Sequence, residues 1–102
     1  IHNFGQQGNL GRYPIHFHMC NAVEGSVVSR NVIKHSNQRA VVIHRSHNVT
    51  VQDNVAYEIK GHAFILEDGV EQYNRFNHNL GTGIRPVETV VPSGNAESDR
   101  SP

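Results

Sequence analysis

Hydrophobic and polar positions recur in step along this chain. Val28-Ser29-Arg30-Asn31-Val32 is answered by Val51-Gln52-Asp53-Asn54-Val55 and again by Phe76-Asn77-His78-Asn79-Leu80, so the three asparagines stand 23 and 25 residues apart. Apolar runs occupy matching places between them: Ala40-Val41-Val42-Ile43-His44, then Ala63-Phe64-Ile65-Leu66-Glu67, offset by 23. A period in this range marks stacked repeats, because one such unit cannot bury its apolar face without its neighbour. Leucines are few, and Val, Ile, Phe, Asn, His and Gly fill the repeats. That choice favours short strands and tight turns over helices. The pattern predicts an all-β fold, a right-handed parallel β-helix (solenoid) of about four coils, each adding about 4.8 Å.

A Gly-rich approach is expected over residues 1–14 and a strand over Ile15 to Met19. A turn is expected over Cys20 to Gly25. Strands are expected near Ser26–Ser29, Ala40–His44, Val49–Val51, Ala63–Glu67 and Arg75–Asn77, with a loop over Asp68 to Tyr73. After Gly81 the repeat fades into irregular chain. Residues 1–91 are read as the coils and 92–102 as a polar tail. The sequence opens in mid-pattern at Ile1 and closes without a capping helix, as expected of an internal piece of a larger protein.

Strand alternation then assigns faces. Val41 is expected over Phe64 and Ile43 over Leu66, with Ile15 and Phe17 stacking on Val41 and Ile43 at an offset of 26. The outward column becomes His18, His44 and Glu67, each about 5 Å from the next. His16 lies one outward step earlier, and His62, Asp68 and Glu71 flank the row.

Two chemistries and one plainer role fit this column. Neutral imidazoles and a carboxylate bind a divalent ion such as zinc or manganese, which makes His16, His18, His44 and Glu67 candidate ligands. Histidine and carboxylate also share acid–base work near neutral pH, which makes His18, His44, Glu67 and Asp68 candidate catalytic groups. A solvated ladder of stacked polar residues is the competing reading. Arg12 and Tyr13 are candidates for holding an acidic sugar by charge and ring stacking, with His16 and His62 beside them. Alternatively, the Arg12 stem packs along the coil and Tyr13 covers a core end. Glu67, Asp68 and Glu71 read either as a calcium loop or as an acidic turn. Asn31, Asn54 and Asn79 read as a structural ladder.

Composition changes the picture in a few places. Formal net charge is zero with histidines neutral, so no basic face for nucleic acid is expected. A single cysteine, Cys20, permits no internal disulfide. Asn48-Val49-Thr50 is an N-glycosylation sequon. Eight histidines in 102 residues are the compositional oddity and call for a chemical account.

Two strings carry a family likeness. Gly11-Arg12-Tyr13-Pro14-Ile15-His16-Phe17-His18-Met19 and Gly61-His62-Ala63-Phe64-Ile65-Leu66-Glu67-Asp68-Gly69-Val70-Glu71 resemble the β-helix region of the cell-surface hyaluronidase and cell-migration-inducing hyaluronan-binding protein family. Fibrocystin-like and G8-domain proteins share similar stretches. The resemblance spans roughly residues 2–91. It implies an extracellular or cell-surface protein, a G8 domain upstream in the parent chain, an acidic polysaccharide of the hyaluronan type as partner, and calcium as the divalent cation, where the histidine column itself suggests zinc. The expected function is therefore part of a protein that binds or degrades such a glycan. A hydrolase would draw on Glu67, Asp68 and the histidine column. A lyase would need a base and a group neutralising the uronate, for which His18, His44 and Arg12 serve. The alternative is a noncatalytic scaffold or carbohydrate-binding surface.

Overall fold

The structure, a computed structural model, describes residues 1–89. The polar stretch 92–102 lies outside them. Strands follow in the order β1 (Ile15–Ser29), β2 (Val32–Lys34), β3 (Val41–Gln52), β4 (Val55–Tyr57), β5 (Phe64–Leu66), β6 (Arg75–Asn77) and β7 (Leu80–Thr82). Every pairing between them is parallel. One sheet runs β1-β3-β5 with β6 also on β3, and the other runs β2-β4-β7.

The all-β expectation is met, but the solenoid is corrected. The described residues form two small parallel sheets, of four and three strands, rather than a right-handed β-helix of about four coils. The physical reason lies in strand length. β3 pairs along 12 residues, whereas the layer above it offers only the three-residue β5 and β6, separated by the loop around Asp68 to Tyr73. A layer this broken gives a further coil little to stack on.

Register follows the sequence period. Ile15 pairs with Val41, Phe17 with Ile43 and His18 with His44, while Val41 pairs with Phe64 and Ile43 with Leu66. The turn expected over Cys20 to Gly25 is instead strand: β1 runs through it with two register shifts. Met19 and Asn21 take left-handed backbone there, as do Arg45 and Asn48 in β3, so the strands kink without ending. The strands β2, β4 and β7 were not expected. Three residues are too few for alternation to register as a pattern.

The core gathers side chains from both sheets: Val28, Ile33, Val41, Ile43, Val49, Val51 and Ala56, with Ala40 and Ile59 from the connections. Alternation is clear in β2 and β4, where Ile33 and Ala56 point inward and their neighbours face out. Burying each larger side chain contributes about 1.5–3 kcal/mol before entropy is charged against it. Val42 breaks the alternation, being fully buried beside Val41 and Ile43. The Gly-rich approach is docked rather than loose, since Asn37 donates its N–H to the Phe4 carbonyl and a Cβ at Gly5 would lie 2.7 Å from the Gln38 nitrogen.

A ladder of asparagines links the repeats. Asn54 Oδ1 accepts from the Asn31 backbone N–H and from Asn31 Nδ2, both at 3.0 Å. Asn54 Nδ2 donates to the Val28 carbonyl and to Asn79 Oδ1, both at 2.9 Å. The left-handed turn residues are Arg30, Asp53 and His78, one place before each asparagine. Asparagine is therefore needed here for its paired donor and acceptor, and the residue before it makes the turn.

Candidate functional site

The parallel register sets His18 directly beside His44 at the end of the first paired segment of β1 and β3. Immediately afterwards Met19 and Arg45 turn left-handed, so both strands bend away and leave the two imidazoles at a corner. His16 sits two residues upstream and half-buried. Its ring is stacked nearly parallel to that of His44 (9° between planes, centroids 6.4 Å apart) and lies 5.0 Å from that of His18. One ligating atom from each of the three rings falls within 4.8 Å of the others. A small cavity of about 30 Å³ opens among them, lined by Leu10, Gly11, His16, His18, His44 and Glu67.

Partner chemistry fixes the tautomers. The Gly11 carbonyl can only accept, so the 3.2 Å contact makes His16 Nδ1 the protonated nitrogen and leaves a lone pair on Nε2. That Nε2 is buried and has no hydrogen-bond partner among the described residues. His44 Nε2 donates to Asp68 Oδ2 at 2.9 Å, so in neutral His44 the lone pair is on Nδ1, 3.1 Å from His18 Nδ1. The result is a relay in which His18 donates to His44 and His44 donates to Asp68.

The surrounding charges are ordered. Asp68 also accepts from Arg45 Nε at 2.8 Å. That bond, more than the one from His44, holds the Asp68 carboxyl below the ordinary carboxylate range. Burial pushes Glu71 up, but backbone N–H groups of Asp68 and Arg45 donating to its Oε1 outweigh this and hold it below its usual value. Burial drives His16 down from an ordinary 6.5 to about 4, the Gly11 hydrogen bond opposing and the nearby His18, His44 and Arg39 adding to the fall. A ring so placed stays neutral and keeps its lone pair at physiological pH.

Beneath the cluster lies Arg39, fully buried. Its Nη1 is 3.5 Å from Glu67 Oε1 and donates to the Tyr13 hydroxyl at 3.2 Å, and its guanidinium lies over the Tyr13 ring, 4.8 Å from the centroid. Glu67 Oε2 lies 3.9 Å from His44 Nδ1. Sequence reasoning did not single out Arg39 or Arg45. Arg39 left no signal, because a cation just ahead of an apolar run reads as a solvated strand end.

The structure thus brings together His16, His18, His44, Glu67 and Asp68, with Glu71 bracing the loop. It does not bring in the others. Tyr13 is buried under Arg39 and edge-on to His16, so its face is covered rather than offered to a sugar. Arg12 is exposed and lines a separate depression with Phe4, Gln6 and Tyr13. His62 is half-buried and outside the imidazole cluster. Glu67, placed on a solvated row by alternation, is buried at 9% exposure.

Comparison with known proteins adds the lineage. A "Cell surface hyaluronidase" of Danio rerio is 40% identical over 105 residues, covering 96% of this chain and 8% of the relative. "Cell surface hyaluronidase CEMIP2" of Homo sapiens is 36% identical over 100 residues, covering 91% of this chain and 7% of the relative. A G8 domain-containing protein of Dictyostelium discoideum is 42% identical over 91 residues, covering 89% of this chain and 8% of the relative. The chain therefore spans under a tenth of the length of these relatives. No solved structure matches significantly. No helix among the described residues is long and apolar enough to cross a membrane. The family described as CEMIP beta-helix matches residues 1–101, and this chain belongs to it.

Proposed function

We propose that this chain supplies a histidine–carboxylate site to an extracellular or cell-surface protein that binds or cleaves an acidic polysaccharide of the hyaluronan type. The observation that carries the reading is the convergence of His16, His18 and His44 beside Glu67 and Asp68. Two relatives bearing the name cell surface hyaluronidase support the substrate class and the location. The G8 domain named in a third supports such a domain elsewhere in the parent.

In this reading Asp68 fixes the His44 tautomer and stabilises it when it takes a proton, as a carboxylate does for any catalytic imidazole. His18, exposed at the outer end of the relay, passes protons between His44 and the glycan oxygen. Glu67, held by Arg39, is the second carboxyl within reach. Exposed Arg45, bonded to Asp68, offers charge to uronate groups at the rim.

The test uses the intact parent protein incubated with hyaluronan of high molecular mass, product length being read by gel electrophoresis. Wild type is expected to shorten the chains, and His44→Ala and Glu67→Gln to leave them long while circular dichroism stays native. Wild type that retains hyaluronan on a column without shortening it identifies a binding surface. Wild type that neither retains nor shortens any acidic glycan overturns the proposal.

A further inference from the structure

We infer that His16, His18 and His44 form a binding site for a zinc-class divalent cation, with Glu67 as fourth ligand and Asp68 and the Gly11 carbonyl orienting the rings. This deepens the proposed function and rests on the same site, but it makes a claim that can fail separately.

The first ground is the orientation of the lone pairs. Ligating histidines characteristically donate their other ring N–H to a carboxylate or a backbone carbonyl. His44 does so to Asp68, and His16 does so to Gly11. Each is left with a bare nitrogen, in a cluster whose three rings place one nitrogen apiece within 4.8 Å of one another. For His16 that nitrogen is buried with no hydrogen-bond partner among the described residues. A buried polar atom left in that state costs about 1–3 kcal/mol unless something fills the place.

Room and spacing agree. The cavity of about 30 Å³ touches all three rings and Glu67. A tetrahedral zinc with nitrogen ligands about 2.0–2.1 Å away needs those nitrogens about 3.4 Å apart. His18 Nδ1 and His44 Nδ1 already stand 3.1 Å apart, and the widest separation in the set is 4.8 Å. Because His18 is exposed, its ring is free to swing the remaining distance and to move its proton from Nδ1 to the outer Nε2. The cation then replaces that proton as the bridge between the two rings.

Charge decides the sign of the occupant. Glu67, Asp68 and Glu71 bring three carboxylates, and Arg39 and Arg45 bring two guanidiniums, which leaves the site net negative while its imidazoles are neutral. That balance favours a cation among the ring nitrogens. Donor type decides which cation. Calcium and magnesium take oxygen ligands, whereas imidazole nitrogen suits zinc, copper, nickel and iron.

The experiment is a titration of the metal-stripped intact protein with Zn²⁺, Co²⁺ and Ca²⁺, followed by calorimetry and, for Co²⁺, by visible absorption. One Zn²⁺ per chain is expected, together with a tetrahedral Co²⁺ spectrum and no Ca²⁺ response at the same place. His18→Ala, at an exposed position, is expected to weaken Zn²⁺ at least tenfold while circular dichroism stays native. Asp68→Asn is expected to weaken it about 10–100-fold through loss of ring orientation. His78→Ala, remote from the cluster, is expected to change nothing. Absence of saturable Zn²⁺ and Co²⁺ binding overturns the inference, as does binding that is unchanged in His18→Ala or lost equally in His78→Ala. Hyaluronan separates the two proposals. Zinc bound with the glycan untouched retires the glycan reading alone. Cleavage that persists in the metal-stripped protein, with no Zn²⁺ uptake, retires the metal reading alone.

Discussion

Replacing Asn54 by alanine tests the energetic role of the asparagine ladder. Asn54 is 1% exposed, so water cannot take over its bonds. The truncation removes the acceptor of the Asn31 backbone N–H and of Asn31 Nδ2, and the donor to the Val28 carbonyl. Asn79 Oδ1 keeps a partner, because the Asn54 backbone N–H also donates to it at 3.1 Å. Two backbone groups are therefore stranded, at about 1–3 kcal/mol each, and the expected loss is about 3 kcal/mol. A domain of this size has only about 5–15 kcal/mol in total. Urea unfolding followed by far-ultraviolet circular dichroism measures the loss as a fall in midpoint at constant slope. Asn54→Asp sharpens the test. It keeps the acceptor toward Asn31 but turns an oxygen against the Val28 carbonyl and Asn79 Oδ1, so it is expected to cost at least as much as alanine at neutral pH. Asn31→Ala, at the more open end of the ladder, is expected to cost about 1 kcal/mol. If Asn54→Ala falls within 1 kcal/mol of wild type, or no further than Asn31→Ala, the ladder does not hold the repeats together and the reasoning fails.

Arg39→Met leaves the Glu67 carboxylate buried without its cation and is expected to cost about 3–5 kcal/mol, read as a lowered thermal midpoint. Gly5→Ala forces a side chain onto left-handed backbone (φ 86°) against the Gln38 nitrogen, and a loss of about 2 kcal/mol or more is expected by the same melt. His16 makes stability depend on pH in a stated direction. Its folded value is about 4 against an ordinary 6.5, so between these the unfolded chain binds a proton that the folded chain refuses. Its contribution is fully present above about 6.5, and is lost as pH falls toward 4. The ceiling is about 3.4 kcal/mol, which solvent screening of the half-buried ring reduces to about 1–2 kcal/mol. Urea midpoints at pH 4 and pH 7 are expected to converge in His16→Gln relative to wild type, and an unchanged gap would contradict the assignment.

Much of the site was legible because it follows from register. His18 beside His44, with Glu67 next after Leu66, needs only a period of 23 to 26 residues and parallel pairing, both readable in the Val, Ile and Asn positions. The asparagine ladder was legible for the same reason. The Cys20 to Gly25 turn was misjudged because polar, Gly-ended sequence suits a kinked strand as well as a turn. Arg12 and Tyr13 looked alike as neighbours ahead of a strand. Only packing separates the buried ring from the exposed guanidinium.

Which residues pair is already written in the chain, since a repeated side-chain pattern admits one parallel register that keeps Val41, Ile43, Val49 and Val51 inside. The number and extent of the layers, two short sheets in place of a solenoid, follow from packing alone. Packing also sets the burial of Arg39 against Tyr13 and Glu67, and leaves His16 Nε2 buried without a hydrogen-bond partner among the described residues. The physical reason is that pairing repeats locally along the chain. What covers a face depends instead on where the residue 1–14 segment and the Asp68 loop come to rest, and no period in the sequence encodes that.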